Sequence, residues 1–225
     1  MSDHSHSHGG PVVAQVELPW QRAGVTAPVA LSPLTEVHWK AGATLEVVDG
    51  WCVATRYAPS PGTGRNTVVD TSCRAKQELV GRDCPARLQA ALGTDVPVRT
   101  IREHAGAEVY RLTSQRAVIF GPLPAIAGSL PASGAWASVS LIGPDGEGIL
   151  NKITAVDLRP QTLPLDGCCQ GPIFGVNTLF GRRAGRFDLH VPADAAEFFW
   201  EVLLDAGREF GLKAAGSIQQ EKNHG

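Results

Sequence analysis

The run FDLHVPADAAEFFWEVLLDAGREFGLKAAGSI, residues 187–218, decides the fold. Phe187, Leu189 and Val191 alternate with Asp188 and His190, the two-residue period of a strand with one face toward a core. Pro192 closes the strand. Asp194 and Glu197 follow in a first helical turn, where the helix dipole favours negative charge. Ala195, Phe199, Val202, Leu203, Ala206 and Phe210 then recur at helical spacing, Phe198 and Trp200 widen the apolar face, and Gly211 stops the helix. So much aromatic surface on one helix has to cover a sheet or meet another chain.

The upstream sequence supplies that sheet. WASVSLIG (136–143) alternates, with Trp136, Ser138 and Ser140 against Ala137, Val139 and Leu141. GPIFGVNTLFGRR and GRFDLHV read as the two arms of a hairpin. VPVRTI, EVYRLTS and RAVIFGP read as three short strands. TLEVVDGWCVATRY folds as strands around Asp49-Gly50, and TVVDTSCRAKQELVG as two strands around a turn at Asp70–Ser72. RDCPARLQAALG predicts a helix with Pro85 in its first turn, Gly93 as its stop, and Leu88, Ala91 and Leu92 as its apolar face. SPLTEVHWK predicts a short helix capped by Ser32 with Pro33 at its first position. Helical starts are also expected in LPAIAGSLPASG and GILNKITAVDLRP. The predicted class is α+β, with short, mostly antiparallel strands and a few covering helices.

The 225 residues are 43% hydrophobic and 19% charged, with a net charge of -2. That balance gives no basic face for nucleic acid. No 18-residue apolar run is present to suggest a membrane span. MSDHSHSHGG lacks the apolar core of a secretory leader, which makes the cytoplasm the expected compartment. Residues 1–30 are expected to be a disordered tail, 31–218 one domain, and 219–225 a second tail. His4, His6 and His8 alternate in the first tail, a spacing able to share a metal ion, although a solvated polar tail is the simpler reading.

No common catalytic or nucleotide-binding motif is present, and PGTGRN lacks the lysine and following helix of a phosphate loop. The five cysteines show no zinc spacing. Cys168 and Cys169 fall in a Pro/Gly-rich loop, where inert thiols are expected. His38 and His190 read as structural histidines. Asp70 and Ser72 read as partners in a side-chain-to-backbone turn bond. Arg182, Arg183 and Arg186 stand beside a turn.

Three blocks, in order, resemble the aminomethyltransferase family, which includes the glycine-cleavage T protein. SPLTEVHWKAGATLEVVDGWCVATRY is similar to the family's opening. NTVVDTSCRAKQELVGRDCPARLQAAL is similar to its D-x-S, K-x-x-[VL]-x-G block, and FDLHVPADAAEFFWEVLLDAGREFGLKAAG to its closing strand and helix. The resemblance implies the family's folate-binding domain, without the C-terminal barrel that follows it in full-length members. Those members hold tetrahydrofolate with an aspartate in a G-[IG]-x-x-D-D loop and a Tyr-Thr-Gly-Glu run. Here the first region reads PVRTIREHAGAEVYRLTS and the second LFGRRAGRFDL, with arginine and glycine in place of tyrosine and glutamate. An arginine reverses the donor pattern of a carboxylate.

One branch fits these departures: the chain resembles the gamma subunit of heterotetrameric sarcosine oxidase, notably in AVDLRPQTLPLDGCCQ and the tail ending in E-F-G. That resemblance implies a non-catalytic subunit of an oxidase or demethylase acting on N-methyl amines. Flavoprotein partners would carry FAD, FMN and NAD. The alternative is a tetrahydrofolate-dependent transferase with a rebuilt pocket, for which Asp70, Arg182, Arg183 and Arg186 are the candidate groups. A folate-binding iron–sulfur maintenance protein is a third reading, resting on Gly167 and Cys168 alone.

Overall fold

A computed structural model describes residues 28–57 and 65–217. Both expected tails, the alternating histidines and most of the PGTGRN segment lie outside the described residues.

The first unit is a three-stranded sheet of order β1-β3-β2, formed by β1 (Ala30–Leu31), β2 (Ala43–Val48) and β3 (Trp51–Tyr57). Its hairpin turns at Asp49 and Gly50, both at positive φ (49° and 79°), the two-residue turn that matches strand twist. Helix α1 (Thr35–Lys40) precedes it. The helix starts later than the Ser-Pro signal predicts. Ser32 Oγ accepts the Leu34 N–H at 3.1 Å, but its hydroxyl is drawn to the Asp70 carboxylate, leaving Pro33 outside the helix.

The two larger sheets confirm the α+β class. One has five strands in the order β6-β7-β8-β5-β9: β5 (Lys76–Val80), β6 (Thr100–His104), β7 (Ala107–Thr113), β8 (Arg116–Phe120) and β9 (Leu130–Pro131). The other has six in the order β11-β12-β13-β10-β4-β14: β4 (Asn66–Asp70), β10 (Trp136–Ile142), β11 (Cys168–Ile173), β12 (Val176–Arg183), β13 (Arg186–Pro192) and β14 (Leu212–Ala215). Pairing within them is antiparallel except for β14, which runs parallel to β4.

Helices α3 (Gly146–Asn151) and α4 (Ala196–Gly207) cover the outer face of the six-stranded sheet, burying Phe187, Leu189, Val191, Phe199, Trp200 and Leu203. Helix α2 (Cys84–Leu92) covers the five-stranded sheet over Leu79, Val109 and Ile119. Between the sheets lies a third core of Tyr110, Phe120, Trp136 and Leu179. The result is four layers: helix, sheet, sheet, helix.

Several expectations are corrected by this packing. Phe198 is 48% exposed while Trp200 is buried, so only one of them widens the inner face of α4; Ala196, rather than Ala195, begins that face. Ala91 is exposed on α2, and Cys84 joins Leu88 and Leu92 beneath it. The stretch from Gly121 to Ser129 is not helical, since Pro122 and Pro124 remove backbone donors. The helix expected within residues 148–160 forms earlier, at 146–151, and does not reach Val156. Arg99, at φ 64°, delays β6 until Thr100. Phe174 and Gly175, both at positive φ, divide the first expected hairpin arm into β11 and β12, so a three-strand meander replaces one hairpin. Cys168 and Cys169 therefore open a strand rather than sit in a loop.

Candidate functional site

Strand alternation builds a cleft between the two sheets. On β13, Phe187, Leu189 and Val191 face the helices, whereas Arg186, Asp188 and His190 face the five-stranded sheet. Across the ladder their partners are Ile142, Ser140 and Ser138 of β10. Polar residues thus occupy an interior face and are themselves buried: Asp188 is 3% and His190 1% exposed.

The inner end of this space is filled. His190 stacks on Phe120 with ring centroids 3.8 Å apart and meets Tyr110 edge-on at 5.1 Å. Its Nδ1 lies 2.8 Å from Ser138 Oγ. Burial first, then the charges of Lys76 and Arg74, hold His190 well below the ordinary histidine pKa, so the ring is neutral. A Cβ on Gly181 would lie 2.6 Å from Tyr110 Oη, so this position on β12 accepts only glycine without repacking. Tyr110 Oη and His190 Nε2 are buried without a hydrogen-bond partner.

The outer end opens into a cleft of about 990 Å³, walled by Thr71, Arg74, Gly106, Ile142, Pro144 and Arg186 among others. At its base lies Glu108 of β7, 5% exposed. Its carboxylate accepts from Arg74 at 2.6 Å and Arg186 at 2.8 Å, with Arg183 Nε at 3.7 Å. Arg186 also donates to both oxygens of Asp188, at 3.0 and 3.1 Å, and Asp188 accepts a 2.6 Å bond from Ser140. Arg183 reaches outward to Asp166 at 2.6 Å and to Glu103. Guanidiniums from the loop after β4 and from the β12–β13 hairpin therefore close on one carboxylate of the opposite sheet.

Of the four residues singled out from sequence, the structure brings Arg183 and Arg186 to the cleft. Arg182 and Asp70 face the helices. Arg182 pairs across the ladder with Phe187, lies 5.1 Å over its ring, and binds Glu147 at 2.9 Å. Asp70 pairs with Val139 on that same face. It accepts from Ser32, from the Ser72 N–H at 2.8 Å, and from His38 Nε2 at 3.1 Å. The Ser72 bond is the turn bond expected from sequence. Tyr57 Oη lies 2.6 Å from His38 Nδ1, and burial pushes this phenol up to a value far above the working range, with Asp70 adding to the shift. The phenol therefore donates, leaving His38 Nε2–H to serve Asp70. Burial opposes the Asp70 charge, but His38, Ser32 and Ser72 outweigh it and hold the carboxyl below its usual value. This network anchors α1 to β4.

Cys168 is 1% exposed, and burial pushes its thiol up to about 12, which leaves no thiolate at neutral pH. Among the described residues no cluster of His, Cys, Asp or Glu could hold a metal ion, and no helix is long and apolar enough to cross a membrane. Sequence reading missed Glu108 and Arg74. The one signal for Glu108 is alternation, which puts it with Tyr110 on one face of β7.

Comparison with known proteins places this arrangement. No family model matches the chain. An aminomethyltransferase of Desulfitobacterium hafniense is 27% identical over 225 aligned residues, covering 82% of this chain and 60% of that protein. One from Moorella thermoacetica is 38% identical over 88 residues, 37% of this chain and 24% of that protein. The chain therefore spans at most about 60% of the length of these relatives. Among solved structures, the glycine cleavage system aminomethyltransferase T from Bartonella henselae superposes with a TM-score of 0.67 at 18% identity, over 84% of this chain and 60% of that one. A chain of heterotetrameric sarcosine oxidase from Corynebacterium sp. U-96, solved in complex with pyrrole 2-carboxylate, superposes with a TM-score of 0.61 at 18% identity, over 80% of this chain and 95% of that one. In sequence and in fold, the chain is aminomethyltransferase-like.

Proposed function

We propose that this chain is a non-catalytic subunit of a sarcosine-oxidase-like complex, in which flavoprotein partners carrying FAD, FMN and NAD oxidise an N-methyl amine. One observation carries the reading: the buried carboxylates of the cleft are already spent. Glu108 is bound by Arg74 and Arg186 with Arg183 beside it, and Asp188 by Arg186 and Ser140. A pterin N–H would have to compete with these guanidinium and hydroxyl donors for either carboxylate. The residues present thus do not reproduce the carboxylate set that the family resemblance implies for tetrahydrofolate. Superposition over 95% of one chain of a heterotetrameric oxidase also supports the reading.

The test is purification of a tagged chain from its source, followed by native mass and visible absorbance. The expected result is a hetero-oligomer with flavin in fixed ratio. A colourless monomer would overturn the proposal.

A second reading, a tetrahydrofolate-dependent transferase, is favoured by cleft size alone. At about 990 Å³ the space is ample for a ligand of folate's size. Calorimetry with a reduced folate decides it: saturable heat that is lost in Arg186→Gln supports binding in the cleft, and no heat at high concentration rejects it.

A further inference from the structure

The base of the cleft has donors to spare. Arg74 and Arg186 both line it and both reach the Glu108 carboxylate, Arg74 at Oε2 and Arg186 at Oε1. Their guanidiniums therefore converge on one carboxyl group. Arg74 spends Nη1 on Glu108 and Nη2 on the Phe120 carbonyl, leaving Nε. Arg186 spends Nε on Asp188 and Nη2 on Glu108, leaving Nη1 without a hydrogen-bond partner among the described residues. The two side chains are 31% and 33% exposed, so these N–H groups are open to a ligand in the cleft. The cations also press on one another: Arg183 is held below the ordinary arginine value by burial first and then by Arg186, with Asp188 opposing and Arg74 adding to the shift. A further anion would relieve that repulsion.

Above this base the walls change character. Ile142 and Pro144 present apolar side chains. Gly106, Gly143 and Gly185 sit at positive φ of 79°, 132° and 71°, so backbone turns form much of the rim and a ligand can lie close against them. The space of about 990 Å³ is far more than an acid group alone would fill. A metal ion or an amine would meet guanidiniums first. A carboxylate brings only acceptors to them.

We propose that the cleft is a binding site for a small organic carboxylate, its acid group bridging Arg74 and Arg186 and its apolar body lying between Ile142, Pro144 and the glycine turns. This stands on the cleft geometry and is independent of the reading of the chain as a flavoprotein's subunit.

The test is calorimetry on the full chain with benzoate as the probe, benzamide as its neutral counterpart and inorganic phosphate as a bare anion. Benzoate should give saturable heat that weakens as salt rises, and benzamide none. Arg186→Gln should weaken benzoate at least tenfold. Ala184→Glu places a carboxylate at an exposed rim position and should weaken benzoate severalfold without shifting the melting temperature, so the test stands even where Arg186→Gln fails to fold. No saturable benzoate heat at millimolar concentration, equal binding of benzamide, or unchanged affinity in Ala184→Glu and in folded Arg186→Gln overturns the site. Phosphate bound as tightly as benzoate overturns the assignment of an apolar body. Benzoate heat without heat from a reduced folate supports this site and rejects the transferase reading, so the two can fail separately.

Discussion

Replacing Glu108 by glutamine tests whether the cleft is held together by charge. The amide keeps the shape of the side chain and one acceptor oxygen, but turns an N–H₂ donor toward guanidiniums that are donors themselves. Arg74, Arg183 and Arg186 would then crowd an uncompensated site. Removing one partner of a fully buried ion pair costs about 3–5 kcal/mol. Arg74 and Arg186 are 31% and 33% exposed and can recover some hydration. Asp188 still neutralises Arg186. The expected loss is therefore about 2–3 kcal/mol, or a fall in melting temperature of roughly 5–10 °C for a chain of this length. Denaturant unfolding of Glu108→Gln, Arg186→Gln and the double variant gives the coupling directly. A coupling above ~1 kcal/mol is expected. If Glu108→Gln melts within ~1 °C of wild type and the cycle shows no coupling, the carboxylate does not hold the two sheets, and the account of the closed cleft fails with it.

Three further predictions concern the buried polar groups and the space between the sheets. Ionised Asp70 contributes stability that is complete above the unfolded carboxylate value near 4 and is lost as pH falls through its depressed folded value, so Asp70→Asn should destabilise at neutral pH yet flatten the acid limb of the stability curve. Urea titrations between about pH 2 and 6 would show this, and an unchanged acid limb would contradict it. Burial lowers Lys76 to about 8, so the folded state sheds this proton first and Lys76 contributes a rise of about 2–3 kcal/mol between about pH 8 and 10.5, against a fall from buried thiols whose values are raised; relative to wild type, Lys76→Met should lose that contribution, read as the wild-type-minus-variant difference in urea titrations. Gly181→Ala should cost about 1–3 kcal/mol because its Cβ would meet Tyr110 Oη at 2.6 Å and Ile101 Cδ1 at 2.9 Å, and the companion Tyr110→Phe should recover part of that loss in thermal melts.

Elements whose periodicity is local were legible in the sequence. The alternation of β13, the spacing of α4, the Pro85–Gly93 bracket of α2 and the Asp-Gly turn each depend on a few neighbouring residues. Misreadings arose where chain geometry or tertiary contacts override the local signal. Phe174 turns the chain at positive φ, where a bulky aromatic is a poor turn signal, so β11 and β12 read as one arm. Phe198 and Trp200 are equivalent by hydrophobicity but stand about 160° apart on the helix, and only Trp200 lies beside the Phe199–Leu203 stripe that meets the sheet. The cleft was less legible still. Glu108 binds Arg74 and Arg186 at separations of 34 and 78 residues, and such pairing is written in sheet packing rather than in any run of sequence.

The alternation that hid the cleft also sets what each face of the chain can do. On β13 every second residue is polar and turned inward: Arg186 reaches Glu108 on the facing sheet, Asp188 holds Arg186 and Ser140, and His190 meets Ser138 of the neighbouring strand. Charge inside is matched, so a ligand that takes Arg186 or Arg74 from Glu108 has to offer an equal anion in return. On the outer helices the balance reverses: Phe198 and Trp39 are uncovered and the α4 carboxylates outnumber nearby cations. Exposed apolar side chains and net negative charge therefore lie on the outer helices, while the cleft carboxylates are paired. That distribution makes cleft variants and outer-helix variants separable. Cleft substitutions should change stability, whereas Trp39→Ala and Phe198→Ala, at exposed positions of two helices, should leave it nearly unchanged. Thermal melts of both sets test the division directly, and an exposed-aromatic variant that melts as low as Glu108→Gln would refute it.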